Sequence, residues 1–181
     1  MRILKENTTG LFIDIQDRLF PHMQEMNQLE QNLITLCAGL KVLDIPILVT
    51  EQYTKGLGFT ILPLKMAFGD EYSSIEKIAF SCCDEPQFLN ALNSTGKKNV
   101  LLCGIETHVC ILQTALDLLQ KGYQPVVIQD CVSSRKLSDK HLAIERMRQE
   151  GAIITSLESI LFELTRYSGT DTFKAISKLV K

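Results

Sequence analysis

Residues 99–129, NVLLCGIETHVCILQTALDLLQKGYQPVVIQ, decide the fold. Asn99–Cys103 is a short apolar run stopped by Gly104, which reads as a strand buried on both faces. From Thr107 to Lys121 the apolar residues Cys110, Ile111, Ala115, Leu118 and Leu119 follow helical spacing, with Gly122 just beyond the end. Pro125–Gln129 is a second apolar run. A strand, a helix and a strand in immediate succession form the crossover unit of a parallel sheet.

The same alternation extends to both ends of the chain. Thr9–Ile13 (TGLFI) reads as a strand, Asn27–Leu43 as a helix and Pro46–Thr50 (PILVT) as a strand. Glu51–Lys65, with Gly56, Gly58 and Pro63, reads as a long loop. Ser74–Ser81 reads as a strand. Asp84–Leu92 reads as a helix capped by Asp84, with Pro86 in its first turn. Ser138–Gln149 is a helix with Ser138 as cap and Gly151 past its end, and Ala152–Thr155 is the last strand. Glu158–Thr165 and Thr172–Val180 close the chain as helices. The pattern predicts an α/β fold of three layers, α/β/α, around a six-stranded, mainly parallel sheet. No repeat or linker divides the 181 residues, so residues 1–181 are expected to form one domain.

Composition narrows the function. Hydrophobic residues make up 45% and charged residues 22%, values of a soluble globular protein. Nineteen Lys and Arg against 21 Asp and Glu give a net charge of −2, without the basic footprint of a nucleic-acid binder or an anionic-membrane binder. No apolar run is long enough to cross a bilayer, and the N-terminus becomes charged too early for a signal peptide. A cytoplasmic location is therefore expected. The six cysteines (37, 82, 83, 103, 110 and 131) contain no C-x-x-C pair and no zinc-type spacing, so free thiols are expected.

In a parallel sheet, ligands bind beyond the carboxyl ends of the strands, where the strand order reverses. Three residues near such ends carry chemistry. Asp14 follows the first strand and is placed either to act as a general base or to hydrogen-bond a loop. Cys110 falls in the first turn of the helix that Thr107 is expected to cap. There the helix dipole favours thiolate and free N–H groups can hold an oxyanion, unless the thiol is simply a buried core residue. Lys77 interrupts the apolar run Ile75–Phe80 and either faces the site or is an ordinary strand lysine.

The stretches Leu11–Gln16 (LFIDIQ), Lys77–Ser81 (KIAFS), Leu102–Cys110 (LCGIETHVC) and Asp130–Arg135 (DCVSSR) together resemble the isochorismatase-like cysteine hydrolase superfamily, in particular its short domain-containing members. The third stretch is the most specific, and the resemblance covers nearly the whole chain. It implies a Rossmann-like fold and a catalytic triad of Asp14, Lys77 and Cys110. It also implies a cis peptide between Ile105 and Glu106, with the N–H groups of Glu106 and Cys110 as the oxyanion hole. Gln16, Phe20, Tyr53, Thr107 and His108 are expected around the substrate. Nicotinamidase-type members carry a metal-binding Asp and His after the second strand. This chain reads Thr50-Glu-Gln-Tyr-Thr-Lys55 there, so no metal and no cofactor are expected. The implied reaction is hydrolysis of a C–N bond, of amide or ureido type, in a small molecule, by a homo-oligomer. The amphipathic C-terminal helix and the Gly56–Gly58 loop are the expected interface. The alternative is an idle scaffold or a small-molecule binding module of the same fold; a third reading is a thiol sensor acting through Cys110 or Cys103.

Overall fold

The computed structural model describes residues 2–70 and 72–181. Each expected strand forms: β1 (Thr8–Ile13), β2 (Ile47–Gln52), β3 (Ile75–Lys77), β4 (Asn99–Ile105), β5 (Gln124–Ser133) and β6 (Ile153–Thr155). They make one six-stranded sheet in the order β3-β2-β1-β4-β5-β6, and every pairing is parallel. The chain builds outward from β1 to one edge, then returns to β4 on the other side of β1. The order therefore reverses between β1 and β4, which opens a crevice beyond their carboxyl ends.

Side-chain alternation in the central strands feeds two cores. Phe12, Leu101, Cys103, Val126 and Ile128 face one layer, built from α1 (Met26–Val42), α3 (Leu62–Phe68), α7 (Leu157–Thr165) and α8 (Asp171–Leu179). Leu11, Ile13, Val100, Leu102 and Val127 face the other, built from α4 (Pro86–Thr95), α5 (Leu112–Gln120) and α6 (Leu137–Glu150). Burial on both faces explains why these strands read as unbroken apolar runs.

Several local expectations are corrected. Glu85, not Asp84, caps α4, accepting from the Gln87 N–H, because Asp84 is taken up in the turn Cys82–Asp84. Ser138 lies inside α6, which starts one residue earlier and has no side-chain cap. The segment 51–65 is not one loop: β2 continues through Gln52, and the short helices α2 (Thr54–Leu57) and α3 follow, the latter burying Leu64 and Phe68. β3 ends at Lys77 because the Lys77 ammonium folds back onto the carbonyls of Ala79 and Phe80. The apolar face of α8 is used within the chain, with Ile176 fully buried and Phe173 against Phe162.

Glu51 at the end of β2 ties the next segment down. Its carboxylate accepts from the Thr60 N–H, the Thr60 and Tyr72 hydroxyls and the Ser74 hydroxyl, at 2.7–2.9 Å. Burial alone would raise its pKa, but these hydrogen bonds, the Thr60 pair first, outweigh burial and hold it below the usual range. A depressed carboxyl stabilises the fold fully above its unfolded pKa of about 4.3, and that contribution is lost as pH falls through the folded value. Glu51→Gln should lower stability by about 1–3 kcal/mol near neutral pH. It should also flatten the acid side of the Tm-versus-pH curve, which thermal melts across the acid range will show. A variant whose acid limb is as steep as the parent's would assign that limb to other carboxyls.

Candidate active site

The crevice between β1 and β4 holds a cavity of about 300 Å³. Asp14, the first residue after β1, sits at its base in a left-handed conformation with φ of 54°. Ile13 pairs with Thr50 on β2 and with Gly104 on β4, so Asp14 projects from between both neighbours. Its Oδ1 accepts from the Thr50 hydroxyl at 2.8 Å and its Oδ2 from the Lys77 ammonium at 2.6 Å. Both side chains are buried, Lys77 at 0% exposure and Asp14 at 2%.

Lys77 is saturated from every side. Besides Asp14, its Nζ donates to Gln52 Oε1 at 2.7 Å and to the carbonyls of Phe80 and Ala79 at 3.1 and 3.2 Å. Burial works against its charge, but the Asp14 carboxylate more than offsets it, so the ammonium is held protonated. Gln52 links this pair to the thiol: the Cys110 S–H donates to the same Oε1 at 3.9 Å.

Cys110 enters from β4 through an unusual turn. The expected helix over 107–121 begins as a π-helical turn, Thr107–Ile111, and becomes α-helical only as α5. Such single π turns recur at functional sites. Glu106, not Thr107, is the cap residue, at φ 56° and ψ 59°. The Thr107 hydroxyl instead donates to the Ser133 carbonyl at 2.9 Å. The described residues contain no cis peptide bond, so the one expected between Ile105 and Glu106 is not present. The left-handed conformation of Glu106 turns the chain from strand to helix in its place.

Burial pushes the Cys110 thiol well above its usual pKa. The Asp14 carboxylate adds to that, and Lys77 only partly opposes it. The helix dipole is expected to favour thiolate; burial of a thiol only 6% exposed, with the Asp14 carboxylate beside it, acts in the opposite direction. All six cysteines are free and buried. Burial raises Cys37 and Cys82 to about 11 and Cys83 to about 12.

Asp14, Cys110 and Glu106 line the cavity together with Gln52, Leu19, Leu57, Phe80, Ile105, Val109 and Arg135. Other expected contacts lie elsewhere. The Gln16 amide is fully buried, donating to the carbonyls of Gln52 and Gly58 and accepting from the Gln52 N–H, so it holds the loop rather than a ligand. Phe20 is a core residue. Tyr53 is half exposed, outside the lining, and its N–H donates to the Lys77 carbonyl. Thr107 is fully buried on Ser133. His108 stands behind the wall, with Nδ1 3.0 Å from Ser134 Oγ. Gln52, Leu57, Phe80 and Arg135 carry no such expectation from sequence, although Gln52 directly follows a strand run and Arg135 closes the stretch 130–135.

Arg135 reaches the site through a bulge in β5. Leu102 pairs with Val127, yet Gly104 pairs with Val132, so β5 carries three more residues than β4 over this interval. The bulge brings Ser133 beside Ile105 and sends Arg135 over the cavity mouth. Among the described residues no three His, Cys, Asp or Glu side chains converge as a metal-ligand set.

Residues 8–159 match the family model of the isochorismatase domain. The chain belongs to the isochorismatase family. It is 44% identical over 150 residues to the secreted isochorismatase effector Isc1 of Phytophthora sojae, which covers 81% of this chain and 71% of that protein. The fold superimposes with a TM-score of 0.93 on the MAR1 ribonuclease of Caenorhabditis elegans, at 36% identity, covering 99% of this chain and 92% of the other. It superimposes with a TM-score of 0.92 on the YcaC gene product of Escherichia coli, an octameric hydrolase of unknown specificity, at 26% identity over 99% of this chain and 89% of the other. The isochorismatase-type α/β fold is thus the one the sequence implied. Among the described residues no helix is long and apolar enough to cross a membrane.

Proposed function

We propose that this isochorismatase-family chain is a metal-independent cysteine hydrolase that cleaves a C–N bond of a small amide or ureide. The observation that carries the reading is a buried ion pair, Asp14 with Lys77 at 2.6 Å, set beside the Cys110 thiol on the wall of one cavity. The resting proton sits on sulfur, and Asp14 is the base positioned to accept it. As Sγ attacks the carbonyl carbon, Asp14 takes the thiol proton, and the backbone N–H groups of Glu106 and Cys110 receive the oxyanion. Collapse breaks the C–N bond, and Asp14 returns the proton to the leaving nitrogen. Water then attacks the thioester with its proton passing to Asp14, and release of the acid restores the thiol. Lys77 holds the Asp14 carboxyl group in place throughout.

Apolar walls and a net charge of −2 favour a small molecule over a nucleic acid. The octameric state of the Escherichia coli relative supports self-association of this chain as well. Six free thiols fit a reducing compartment such as the cytoplasm.

One observation favours the alternative of an idle scaffold or binding module: the burial of Cys110, which holds its thiol protonated. Intact-mass analysis of protein quenched during exposure to small primary amides and ureides separates the two. The hydrolase shows ammonia release together with an acyl mass that maps to Cys110. Ammonia release without any adduct on Cys110, in rapid-quench samples, would remove the covalent mechanism, and no release from the whole panel would favour the scaffold.

A further inference from the structure

The sheet loses its edge strand early on one side. β6 pairs only with Val126–Ile128, while β5 runs on to Ser133. Gln129–Ser133 therefore has no neighbouring strand on that side, and the first turns of α1 and α6 line the gap instead. The result is a groove of about 340 Å³ that shares no lining residue with the reacting cavity.

This groove holds charges of both signs that do not meet. Lys140, in the first turn of α6, is half-buried in its wall, and among the described residues its ammonium forms no ion pair. Burial holds the ammonium below its usual pKa, and the carboxylates of Glu25 and Asp130 only partly oppose that. Glu25 stands at the rim, just ahead of α1, in a left-handed conformation with φ of 54°. Asp130 spends Oδ1 on the Leu157 N–H at 2.8 Å, which leaves Oδ2 for the groove. Two carboxamides brace the wall between them: Gln28 Nε2 donates to Asn32 Oδ1 at 2.9 Å, and Asn32 Nδ2 donates to the Asp130 carbonyl at 2.7 Å. A half-buried charge without a partner is a standing cost, which a ligand of matching charge removes.

The mixture of signs selects the ligand. A simple anion would gain Lys140 but face two carboxylates, and a simple cation would gain the carboxylates but face Lys140. A molecule that carries both charges satisfies all three groups. We propose that the groove is a second ligand site, which takes a small zwitterion of the amino-acid class with its carboxylate on Lys140 and its ammonium on Glu25 and Asp130. The site is independent of the chemistry at Cys110.

The test is methyl NMR on the full chain at low salt and near neutral pH. The groove carries the methyls of Leu29, Val132 and Ile144, and the reacting cavity carries those of Leu57, Ile105 and Val109, so the spectrum reports which site fills. Glycine, β-alanine and γ-aminobutyrate serve as zwitterions of increasing charge separation, with butyrate and butylammonium as single-charge analogues. At least one zwitterion should shift the groove methyls saturably at millimolar concentration. It should bind at least about tenfold more tightly than either analogue, the scale of one charge-assisted hydrogen bond. Lys140→Gln and Glu25→Gln should each remove most of that preference, and Lys140→Arg should keep it. Because Lys140 has no partner to lose, Lys140→Gln should keep the parent's melting temperature, and thermal melts verify this. Groove methyls unmoved by all three zwitterions, shifts confined to the cavity methyls, equal affinities for zwitterion and analogue, or a preference unchanged in Lys140→Gln would each overturn the site.

Discussion

Asp14→Asn should lower kcat/KM toward any amide or ureide substrate by at least about 10³-fold, the scale of losing a general base that acts in both half-reactions. Asparagine is the right replacement because it tolerates the left-handed conformation at this position and can still accept from Thr50. What it cannot do is take the Cys110 proton or neutralise Lys77. The second loss has its own consequence. Lys77 is fully buried, and removing one partner of a buried pair typically costs about 3–5 kcal/mol. The same cost is expected for Lys77→Met, which strands the Asp14 carboxylate. The double variant Asp14→Asn/Lys77→Met leaves no buried charge from this pair and should recover much of the stability lost by either single change. It should recover none of the activity. Urea unfolding of the four proteins gives the coupling, and steady-state rates give the chemistry. A single Asp14→Asn variant within tenfold of parental kcat/KM would remove Asp14 from its role. A double variant no more stable than the singles would mean that the pair is not coupled as its geometry indicates.

Gly104→Ala should prevent stable folding. Gly104 has a φ of 136°, and a Cβ built there would lie 2.2 Å from the Ile13 carbonyl oxygen and 2.8 Å from the Ile13 nitrogen. Those atoms belong to the central strand, hydrogen-bonded on both sides, so they cannot retreat as a flexible side chain would. The expected loss is more than about 4 kcal/mol, the range reserved for severe packing or backbone conflict. Gly96→Ala is the matched control. It also has positive φ, 65°, but a Cβ at that position would have nothing within 4 Å. It should lose only about 1–2 kcal/mol for the left-handed conformation. Chemical denaturation of the two variants separates the steric effect from the conformational one. A Gly104→Ala protein as stable as Gly96→Ala would show that β1 and β4 can part without cost.

The apolar runs make the sheet legible because central parallel strands are covered on both faces, and Leu11 and Phe12 must both be apolar although they face opposite layers. The chemistry at the strand ends is legible for the same reason: Asp14 and Lys77 are polar residues placed where an apolar run stops or breaks. What the sequence conceals depends on contacts across long separations. The pocket walls Leu57, at the end of the four-residue helix α2, and Phe80, in an irregular segment, are apolar residues, and nothing local separates a wall from a core residue such as Phe20. Arg135 reaches the site only because β5 carries a bulge, and no local signal in residues 128–133 marks it. The protonated resting state of Cys110 is hidden too, since helix position is local but burial is a property of the whole fold. The turn at Glu106 differs in kind from the expectation: the reversal is achieved by φ and ψ rather than by the peptide bond.

Gln16 offers a last consequence. One fully buried side-chain amide clasps the backbone at Gln52 and Gly58, and backbone hydrogen bonds from Asp17 to Phe59, Arg18 to Leu57 and Ile61 to Ile15 join the segment bearing Leu57 to the residues that follow β1. The reacting groups stand on the sheet and the first π turn, whereas the walls at Leu57 and Arg135 stand on short connections beyond β2 and past the β5 bulge. Selection can therefore retool what this crevice admits, one wall residue at a time, while the reaction itself stays anchored to the sheet.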